Sequence, residues 1–300
     1  MAIAQSRQVA DMITERTGRP VKIVGVTTLG DVSRAQLTQI GGTGVFVSAL
    51  REALAAGEVD LAVHSLKDLP TGSAAGIVLA AVPARDDPRD ALVARDGAKL
   101  ADLPAGARIG TGSPRRAAQL MALRGDLRCV PIRGNANTRV GHVRAGELDA
   151  VVLAYAGLAR IGYLSAVTQV FEPDEMLPAP GQGALAVECR DGSPELAALL
   201  QAVTDQASMA AVTAERSLLE ALEAGCSAPV GAYAAGLEQL RMRAAVMSTD
   251  GSRVLRAHGG APGADARQLG RDLAAELLRS GAGDLIKVPQ VPTSSGNDDQ

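Results

Sequence analysis

The chain has 300 residues, of which 47% are hydrophobic and only 2% aromatic, and its formal net charge is −3 at pH 7. This length suits two or three domains, and the apolar share is large enough for each to have a core of Ala, Val, Leu and Ile. Net acidity and few aromatic side chains argue against a nucleic-acid partner, and three cysteines without CxxC spacing argue against a disulfide framework or a structural zinc site.

Strands and helices alternate through the first half of the chain, in a cycle that occurs twice. The first cycle predicts strands over 20–28, 59–65 and 76–84 and a helix over 44–57. The second cycle predicts strands over 107–112, 128–133 and 149–156 and helices over 114–124 and 138–145. Together these elements predict an α/β protein in which two similar domains have mostly parallel sheets.

Two segments rich in proline, glycine and charge, 83–95 and 172–190, are predicted crossovers between these domains. A third, smaller α+β unit follows, with a helix over 213–224, a hairpin at Asp250–Gly251 and a last helix over 264–280. The expected boundaries are 1–84 with 184–203 for domain 1, 89–178 for domain 2, 206–287 for domain 3 and 288–300 for a disordered tail.

Arginines cluster in the second of these domains. From Arg108 to Arg144 the chain holds eight arginines, no lysine and one acid. Ser113 is a predicted N-cap, so Arg115 and Arg116 fall in the first turn of a helix, and Arg139 falls at the next helix start. The positive end of a helix disfavours a cation, so this pattern indicates a bound anion, of which carboxylate and phosphate are the usual kinds. For any single arginine, a solvated basic face stays open as the alternative.

A lysine and an aspartate are adjacent where a predicted buried strand ends, in "VHSLKDLP". Lys67 and Asp68 are well placed there for proton transfer or for stabilising a cation, and an ion pair within the loop is the alternative. We interpret His64, on the strand itself, as a packed histidine.

Cys226 follows Gly225, which is predicted to end the helix before it. The negative end of a helix disfavours a thiolate, so the position does not suit a protease-type nucleophile. It suits a thiol that reacts once with a strong electrophile and stays attached. Cys129 and Cys189 lie within predicted strands and are expected to pack in the core.

Six stretches of this sequence resemble the porphobilinogen deaminase family, also called the hydroxymethylbilane synthases. They are "VHSLKDLP", "IGTGSPRRAAQL", "PIRGNANTR", "AYAGLARIG", "LPAPGQGALAVECR" and "ERSLLEALEAGCSAPVG". The resemblance implies two periplasmic-binding-protein-like domains with an active-site cleft between them, plus a third domain. It also implies that four porphobilinogen molecules are joined head to tail with release of ammonia, giving linear hydroxymethylbilane. The growing chain is primed on a dipyrromethane cofactor that a thioether holds to one cysteine.

The resemblance assigns roles to residues of this chain by motif. Cys226 holds the dipyrromethane, and Asp68 is the catalytic carboxylate. Side chains that bind the carboxylates of cofactor and substrate, or add hydrogen bonds to them, are Ser65, Lys67, Thr111, Ser113, Arg115, Arg116, Arg133 and Arg139 for the cofactor and Arg160 for the substrate. Each pyrrole has two carboxylates, which accounts for the number of arginines.

The start of the chain departs from the family pattern. Family members begin with a strand that ends in a "GTRxSxLAxxQ"-like motif, and "MAIAQ" matches only the end of it. We therefore expect that the first strand of domain 1 is absent, that the natural product begins upstream of Met1, and that the chain as given is poorly stable and weakly active or inactive. An anion- or solute-binding module without catalysis is a further alternative.

Location and partners follow from what the sequence lacks. The N-terminus has no signal-peptide pattern, and no apolar stretch reaches ~18 residues without charge. A cytoplasmic monomer that acts on porphobilinogen, with no metal, nucleic-acid or membrane partner, is expected.

Overall fold

Three β-sheets organise the chain in the computed structural model, which describes residues 1–26, 44–225 and 228–286, and of residues 44–46 the backbone alone. The helices and strands alternate as the sequence predicts in the first two units, and an α+β unit follows them. The α/β class is confirmed, while the predicted domain boundaries stay a prediction. The tail from 288 lies outside the described residues. No helix in the described part of the chain is long and apolar enough to cross a membrane.

The first sheet has the strand order β1-β8-β2, formed by β1 (Leu61–Ser65), β8 (Leu185–Arg190) and β2 (Ile77–Ala81). Three helices pack around it, α1 (Ala2–Thr17), α2 (Gly44–Ala55) and α6 (Pro194–Gln201). Helix α1 was not predicted from the sequence, although its buried residues Gln5, Val9 and Ile13 recur every fourth position, as on one face of a helix. Val9 and Ile13 share a core with Val187 of β8.

The second sheet has the order β5-β4-β6-β3-β7. Its strands are β3 (Asp90–Ala94), β4 (Arg108–Gly110), β5 (Arg128–Val130), β6 (Ala150–Ala154) and β7 (Gln169–Val170). The helices of this unit are α3 (Pro114–Leu123), α4 (Ala136–Arg144) and α5 (Tyr155–Arg160). Phe171, Leu92 and Ile109 are fully buried within its core. The helices and strands predicted between 107 and 156 are therefore present, with shorter strands.

The third sheet is an antiparallel meander of β9 (Val230–Ala235), β10 (Leu240–Met247) and β11 (Val254–Ala261). Helices α7 (Gln206–Ala221) and α8 (Ala266–Arg279) pack on it, and α9 (Ala282–Ile286) follows. The predicted hairpin at Asp250–Gly251 joins β10 to β11. Gly251 has φ 72°, and a Cβ there would lie 2.4 Å from the carbonyl oxygen of Ala118 in α3. A glycine is required at this turn because it seats the third unit directly on the backbone of α3.

The described strands of the first sheet are all antiparallel to their neighbours and the second sheet is mixed, whereas mostly parallel sheets were predicted from the sequence. β4 runs parallel to β5 and β6, but β3 is antiparallel to β6 and β7, and β8 is antiparallel to β1 and β2. Both exceptions belong to segments predicted only as crossovers. β3 enters the second sheet and β8 returns to the first, each against the direction of the strands beside it. The crossovers are thus also strands, buried within the two sheets.

The strand predicted over 20–28 is not formed in its described part. Residues 20–26 have no strand assignment, and Ile23 and Val24 are 42% and 50% exposed. A strand requires a neighbour that accepts and donates its backbone hydrogen bonds, and among the described strands β1 pairs only with β8. An apolar β-branched run was therefore not sufficient evidence for a strand.

Helix α7 differs from its prediction at both ends. It begins at Gln206, where Asp205 is the N-cap and its carboxylate accepts a hydrogen bond from the Ser208 N–H at 2.7 Å. It ends at Ala221 rather than 224, because Glu223 adopts a left-handed φ of 50° and the Ala224 N–H bonds to the Leu219 carbonyl. Gly225 therefore lies four residues beyond the last residue of the helix and does not end it. Cys226 itself lies outside the described residues.

One buried carboxylate ties the third unit to both crossovers. Glu215 of α7 is fully buried and accepts hydrogen bonds from two nitrogens of Arg85, at 2.6 and 3.0 Å. It also accepts from the backbone N–H groups of Gly181 and Ala234, at 2.6 and 2.8 Å. A carboxylate with four donors is strongly held, so α7, which leads to Cys226, is fixed relative to the segments between the first two sheets.

Candidate active site

A cleft of about 1410 Å³ lies between the first and second sheets. The end of β1 and the turn after it line one side, and α3, the start of α4 and α5 line the other. The predicted site residues on its lining are Ser65, Lys67, Asp68, Arg116, Arg139 and Arg160. Side chains that are distant in sequence are therefore brought together by the two sheets, as the motifs predict.

Lys67 and Asp68 belong to a single 3₁₀ turn, Leu66–Asp68, directly after β1. The turn is anchored by Leu66, which is fully buried and whose N–H bonds to the Ala184 carbonyl at 3.0 Å. Burial and, to a lesser extent, the charge of Arg116 lower the pKa of Lys67 to about 8. The half-buried Asp68 carboxylate accepts no hydrogen bond and forms no ion pair within the described residues. Hence the two side chains do not form the loop ion pair that was the alternative.

Arg115 and Arg116 are neighbours with different surroundings. Both contact the fully buried carboxylate of Asp90: Nη1 of Arg115 lies 2.7 Å from Oδ2, and Nη2 of Arg116 donates to Oδ1 at 2.7 Å. Burial raises the pKa of Asp90, but the two guanidinium charges outweigh burial and hold the pKa well below its ordinary value. Arg116 lines the cleft, whereas Arg115 is directed away from it and donates to the Leu177 carbonyl at 2.5 Å.

The start of α4 contributes a second cation. Asn135 caps this helix through the Thr138 N–H at 3.0 Å, and Nε of Arg139 donates to the Gly134 carbonyl at 2.8 Å. Burial lowers the pKa of Arg139, and Arg116 lowers it further, so the two guanidinium groups are close enough to repel. Arg133 is exposed and lies next to Gly134, which lines the cleft.

Arg160, at the end of α5, lies on the same cleft and has a buried nitrogen without an acceptor in the described part of the chain. Its Nη2 donates to Oδ2 of Asp86 at 2.6 Å and to the Gly183 carbonyl at 2.9 Å. Its Nε is buried and has no acceptor among the described residues. A buried donor without an acceptor is costly, so this nitrogen suits a ligand oxygen.

The hydroxyl groups of the loop before α3, which were predicted to bind the cofactor, accept hydrogen bonds from backbone N–H groups. Ser113 caps α3 through the Arg116 N–H at 3.4 Å, and the Thr111 hydroxyl accepts from the Ser113 N–H at 3.2 Å. Neither of these side chains is part of the cleft lining. Their part in binding stays a prediction.

Comparison with known proteins agrees with this geometry. Residues 1–198 match the family model described as porphobilinogen deaminase, dipyromethane cofactor binding domain, and residues 209–279 match the porphobilinogen deaminase C-terminal domain. This chain belongs to the porphobilinogen deaminase family. The porphobilinogen deaminase of Thermobifida fusca is 61% identical over 95% of this chain and 92% of its own length. Porphobilinogen deaminase 1 of Streptomyces coelicolor is 56% identical over 95% and 94%.

Similarity to solved structures is much weaker. The periplasmic VFT2 domain of Bordetella pertussis BvgS has 20% identity and a TM-score of 0.37, over 66% of this chain and 75% of that chain. A likeness at this level supports no conclusion about the chain.

The cleft fits the dipyrromethane cofactor of the porphobilinogen deaminase family. The carboxylates of such a group require several cations, and Lys67, Arg116, Arg139 and Arg160 converge on one cavity. The buried Nε of Arg160 has no protein acceptor among the described residues, and the ammonium of Lys67 has only one hydrogen bond there, at 3.5 Å. These donors are available to carboxylate oxygens.

Two buried acids and a buried amide were not predicted from the sequence, and of these Asp90 and Gln182 contact Arg116. Asp90, Gln182 and Glu188 are 0%, 0% and 3% exposed. Glu188 pairs with Arg51 at 2.7 Å and lies 3.2 Å from Nε2 of His64; burial raises its pKa, but these two partners lower it to about 2. For Glu188 a polar residue inside an apolar run was the available signal, since such residues are buried only with partners. It does not identify the partner, which comes from another segment.

Proposed function

We propose that this chain is a hydroxymethylbilane synthase in which Asp68 is the catalytic carboxylate and the cations around it bind the carboxylates of cofactor and substrate. The observation that carries this proposal is the cleft itself. Lys67, Arg116, Arg139 and Arg160 line it together with an aspartate that has no partner among the described residues. The reaction is the head-to-tail condensation of four porphobilinogen molecules to hydroxymethylbilane, with release of ammonia.

The cations bind and orient. Arg116 keeps its side chain rigid through Asp90 and the Val152 carbonyl, at 2.9 and 3.2 Å. Arg139 is held by Gly134 and Arg160 by Asp86. Side chains that are already fixed lose little conformational entropy when a carboxylate arrives, and guanidinium groups match its two oxygens. Ser65, at the end of β1, adds a hydroxyl donor on the same lining.

Asp68 stabilises positive charge. Loss of ammonia from porphobilinogen leaves a cation, and a carboxylate held near it in a site largely removed from water lowers the barrier. Asp68 suits this role because it accepts no hydrogen bond and forms no ion pair within the described residues, although the charge of Lys67 acts on it. It can also accept a proton when the new bond between two rings is completed.

Arg115 acts from behind the cleft. Arg115 and Arg116 together compensate the buried charge of Asp90. Because Arg115 supplies one of these two positive charges, the charge of Arg116 is not fully used by Asp90 and can also act on a ligand in the cleft. This supports a role for Arg115 in orienting Arg116. The roles of Thr111, Ser113 and Arg133 rest on their motifs.

The cofactor is proposed to be held covalently by Cys226. Dipyrromethane, once bound, supplies the pyrrole ring to which the first porphobilinogen is added. The place of Cys226 in the sequence supports this attachment, since it follows a helix that Glu215 ties to both crossovers. The thiols of Cys129 and Cys189 are less suited, because burial raises the pKa of each.

Intact-mass measurement tests the attachment and the function together. The purified full chain should carry the mass of a dipyrrole, react with Ehrlich's reagent and consume porphobilinogen. Cys226→Ser should lack the added mass while its unfolding midpoint stays near that of the wild type. Cys129→Ser is the matched control and should keep it. A dipyrrole on Cys226→Ser would refute the attachment, and a wild-type chain without dipyrrole or turnover would refute the function.

A further inference from the structure

A glutamine behind the cleft connects its two sides. Gln182 lies in the crossover that leads to β8 and is fully buried. Its backbone is held on both sides: its N–H donates to the Ala179 carbonyl at 2.9 Å, and its carbonyl accepts from Nε of Arg85 at 2.7 Å. The position of the side chain is thus fixed by the same crossover that Glu215 anchors to the third unit.

The orientation of the Gln182 amide follows from its partners. The NH₂ group donates to the Pro88 carbonyl at 2.7 Å and to Oδ1 of Asp90 at 2.9 Å. The amide oxygen faces two cations, Nη2 of Arg116 at 3.4 Å and Nζ of Lys67 at 3.5 Å. Turning the amide over would point its donors at two cations and its oxygen at a carboxylate, so only one orientation is stable.

This oxygen is shared by cations from opposite sides of the cleft. Lys67 follows β1 of the first sheet, and Arg116 belongs to α3 beside the second. Lys67 also faces the charges of Asp68, Asp90 and Arg115. A neutral oxygen attracts both cations without cancelling their charge, whereas a carboxylate in its place would pair with one of them and weaken their attraction for an external anion.

We propose that Gln182 is a positioning residue that sets the spacing of Lys67 and Arg116 across the cleft and keeps both directed at the carboxylates of the substrate. The inference rests on the proposed function only for the identity of that anion. Gln182 is not on the cleft lining, so it acts through the two cations rather than on the substrate.

The titration of Lys67 reports on this contact without any need for turnover. The chain has four lysines, Lys22, Lys67, Lys99 and Lys287, so the ε-carbons of protein labelled with ¹³C-lysine give four NMR signals, and Lys67→Arg identifies the one of interest. In Gln182→Met the ammonium loses its acceptor and should titrate lower by about half a pH unit or more. In Gln182→Glu a carboxylate replaces the amide, and the same signal should titrate higher than in the wild type.

Gln119→Met is the matched control. Gln119 is also a buried glutamine with backbone partners, donating to Leu177 at 3.0 Å and accepting from its N–H at 2.7 Å, but it has no contact with Lys67. Gln119→Met should lower the unfolding midpoint to a similar extent as Gln182→Met and leave the Lys67 titration unchanged. In kinetic assays, Gln182→Met should raise KM for porphobilinogen by about threefold or more, with a smaller change in kcat.

A lower pKa of Lys67 in Gln182→Met together with a higher pKa in Gln182→Glu supports the proposal. Equal titration in all variants, or the same shift in Gln119→Met, overturns it. If Gln182→Met fails to fold, the upward shift in Gln182→Glu decides the question by itself. A wild-type chain that binds no porphobilinogen but shows the two opposite shifts would refute the proposed function and leave the spacing role intact.

Discussion

Asp90 and Asp68 both act on the charge of Lys67, yet their surroundings are opposite. Asp90 is fully buried and contacts Arg115, Arg116 and Gln182. Asp68 is half-buried on the cleft, and its carboxylate has no partner among the described residues. A carboxylate whose acceptors are all used inside the protein stabilises the fold, whereas one left open to a cavity is available to a ligand.

The two aspartates also occupy different kinds of backbone. Asp90 begins β3, a strand buried along its whole length in the second sheet. Asp68 ends a 3₁₀ turn that follows β1. Loops that follow strands are where binding residues concentrate, because a rigid sheet positions them and the loop is free to vary. The same change, aspartate to asparagine, should therefore affect stability at one position and catalysis at the other.

The largest effect is expected for Asp90→Asn. It leaves Arg115 and Arg116 buried without a counter-ion, and breaking a buried ion pair in this way costs about 3–5 kcal/mol. The free energy of unfolding, measured with urea at pH 7, should fall by that amount. Asp87→Asn is the control: its partner Arg89 is one-third exposed, and such a pair contributes roughly 0–1 kcal/mol. Equal losses in the two variants would show that the buried cluster is not stabilised by Asp90.

The pH dependence adds a second check on Asp90. Its pKa is held well below the ordinary value of 3.8, so the stability it provides is complete above that value and is lost as the pH falls below it. Asp90→Asn should lack this part of the acid sensitivity. A stability difference between wild type and variant that does not shrink on acidification would contradict the assignment.

Asp68→Asn should leave stability unchanged and reduce turnover. One well-placed electrostatic group contributes about 3–4 kcal/mol to a transition state, or roughly 10²–10³ in kcat. Porphobilinogen consumption and ammonia release measure this directly, with the unfolding midpoint recorded on the same sample. Asp96→Asn, at a side chain that is 88% exposed, should behave as wild type in both assays. Near-normal turnover by Asp68→Asn would reject its catalytic role.

The two aspartates show which site residues can be predicted from the sequence and which cannot. Asp68 was identified because its motif is local: lysine, aspartate and proline follow a strand in consecutive positions. Asp90 was not, because its partners Arg115 and Gln182 are far along the chain and only the sheet brings them together. Its strand was also predicted as a crossover, since proline and charge just before it resemble a loop.

Helices and strands show the same difference between features that depend on neighbouring residues and features that depend on distant ones. Helices with a cap in the sequence, such as α3 after Ser113 and Pro114, were predicted within a residue or two. The strand over 20–28 was not formed in its described part, because strand formation depends on a partner strand and not on an apolar run alone. The end of α7 was misplaced because Glu223 adopts a left-handed conformation usually reserved for glycine.

The smallest effect concerns Lys67, the cation between the two aspartates. Its pKa of about 8 lies below the ordinary 10.5 because of burial and of Arg116. The ammonium that binds carboxylates is present below pH 8 and is lost above it, so kcat/KM at pH 9 should be roughly tenfold lower than at pH 7. Stability should change in the other direction. Between pH 8 and 10.5 the unfolded chain holds more protons than the folded one, so the free energy of unfolding should rise with pH.

Lys67→Arg separates the two trends, because a guanidinium keeps its charge in this range. In that variant the loss of kcat/KM between pH 7 and pH 9 should be much smaller than in the wild type, and the rise in stability over the same range should disappear. Lys99→Arg, at an exposed position, is the control and should keep both trends of the wild type. If Lys67→Arg loses activity with pH as steeply as the wild type, another group controls the alkaline limb, and Lys67 belongs with Asp90 as a residue of the fold rather than with Asp68 as a residue of the site.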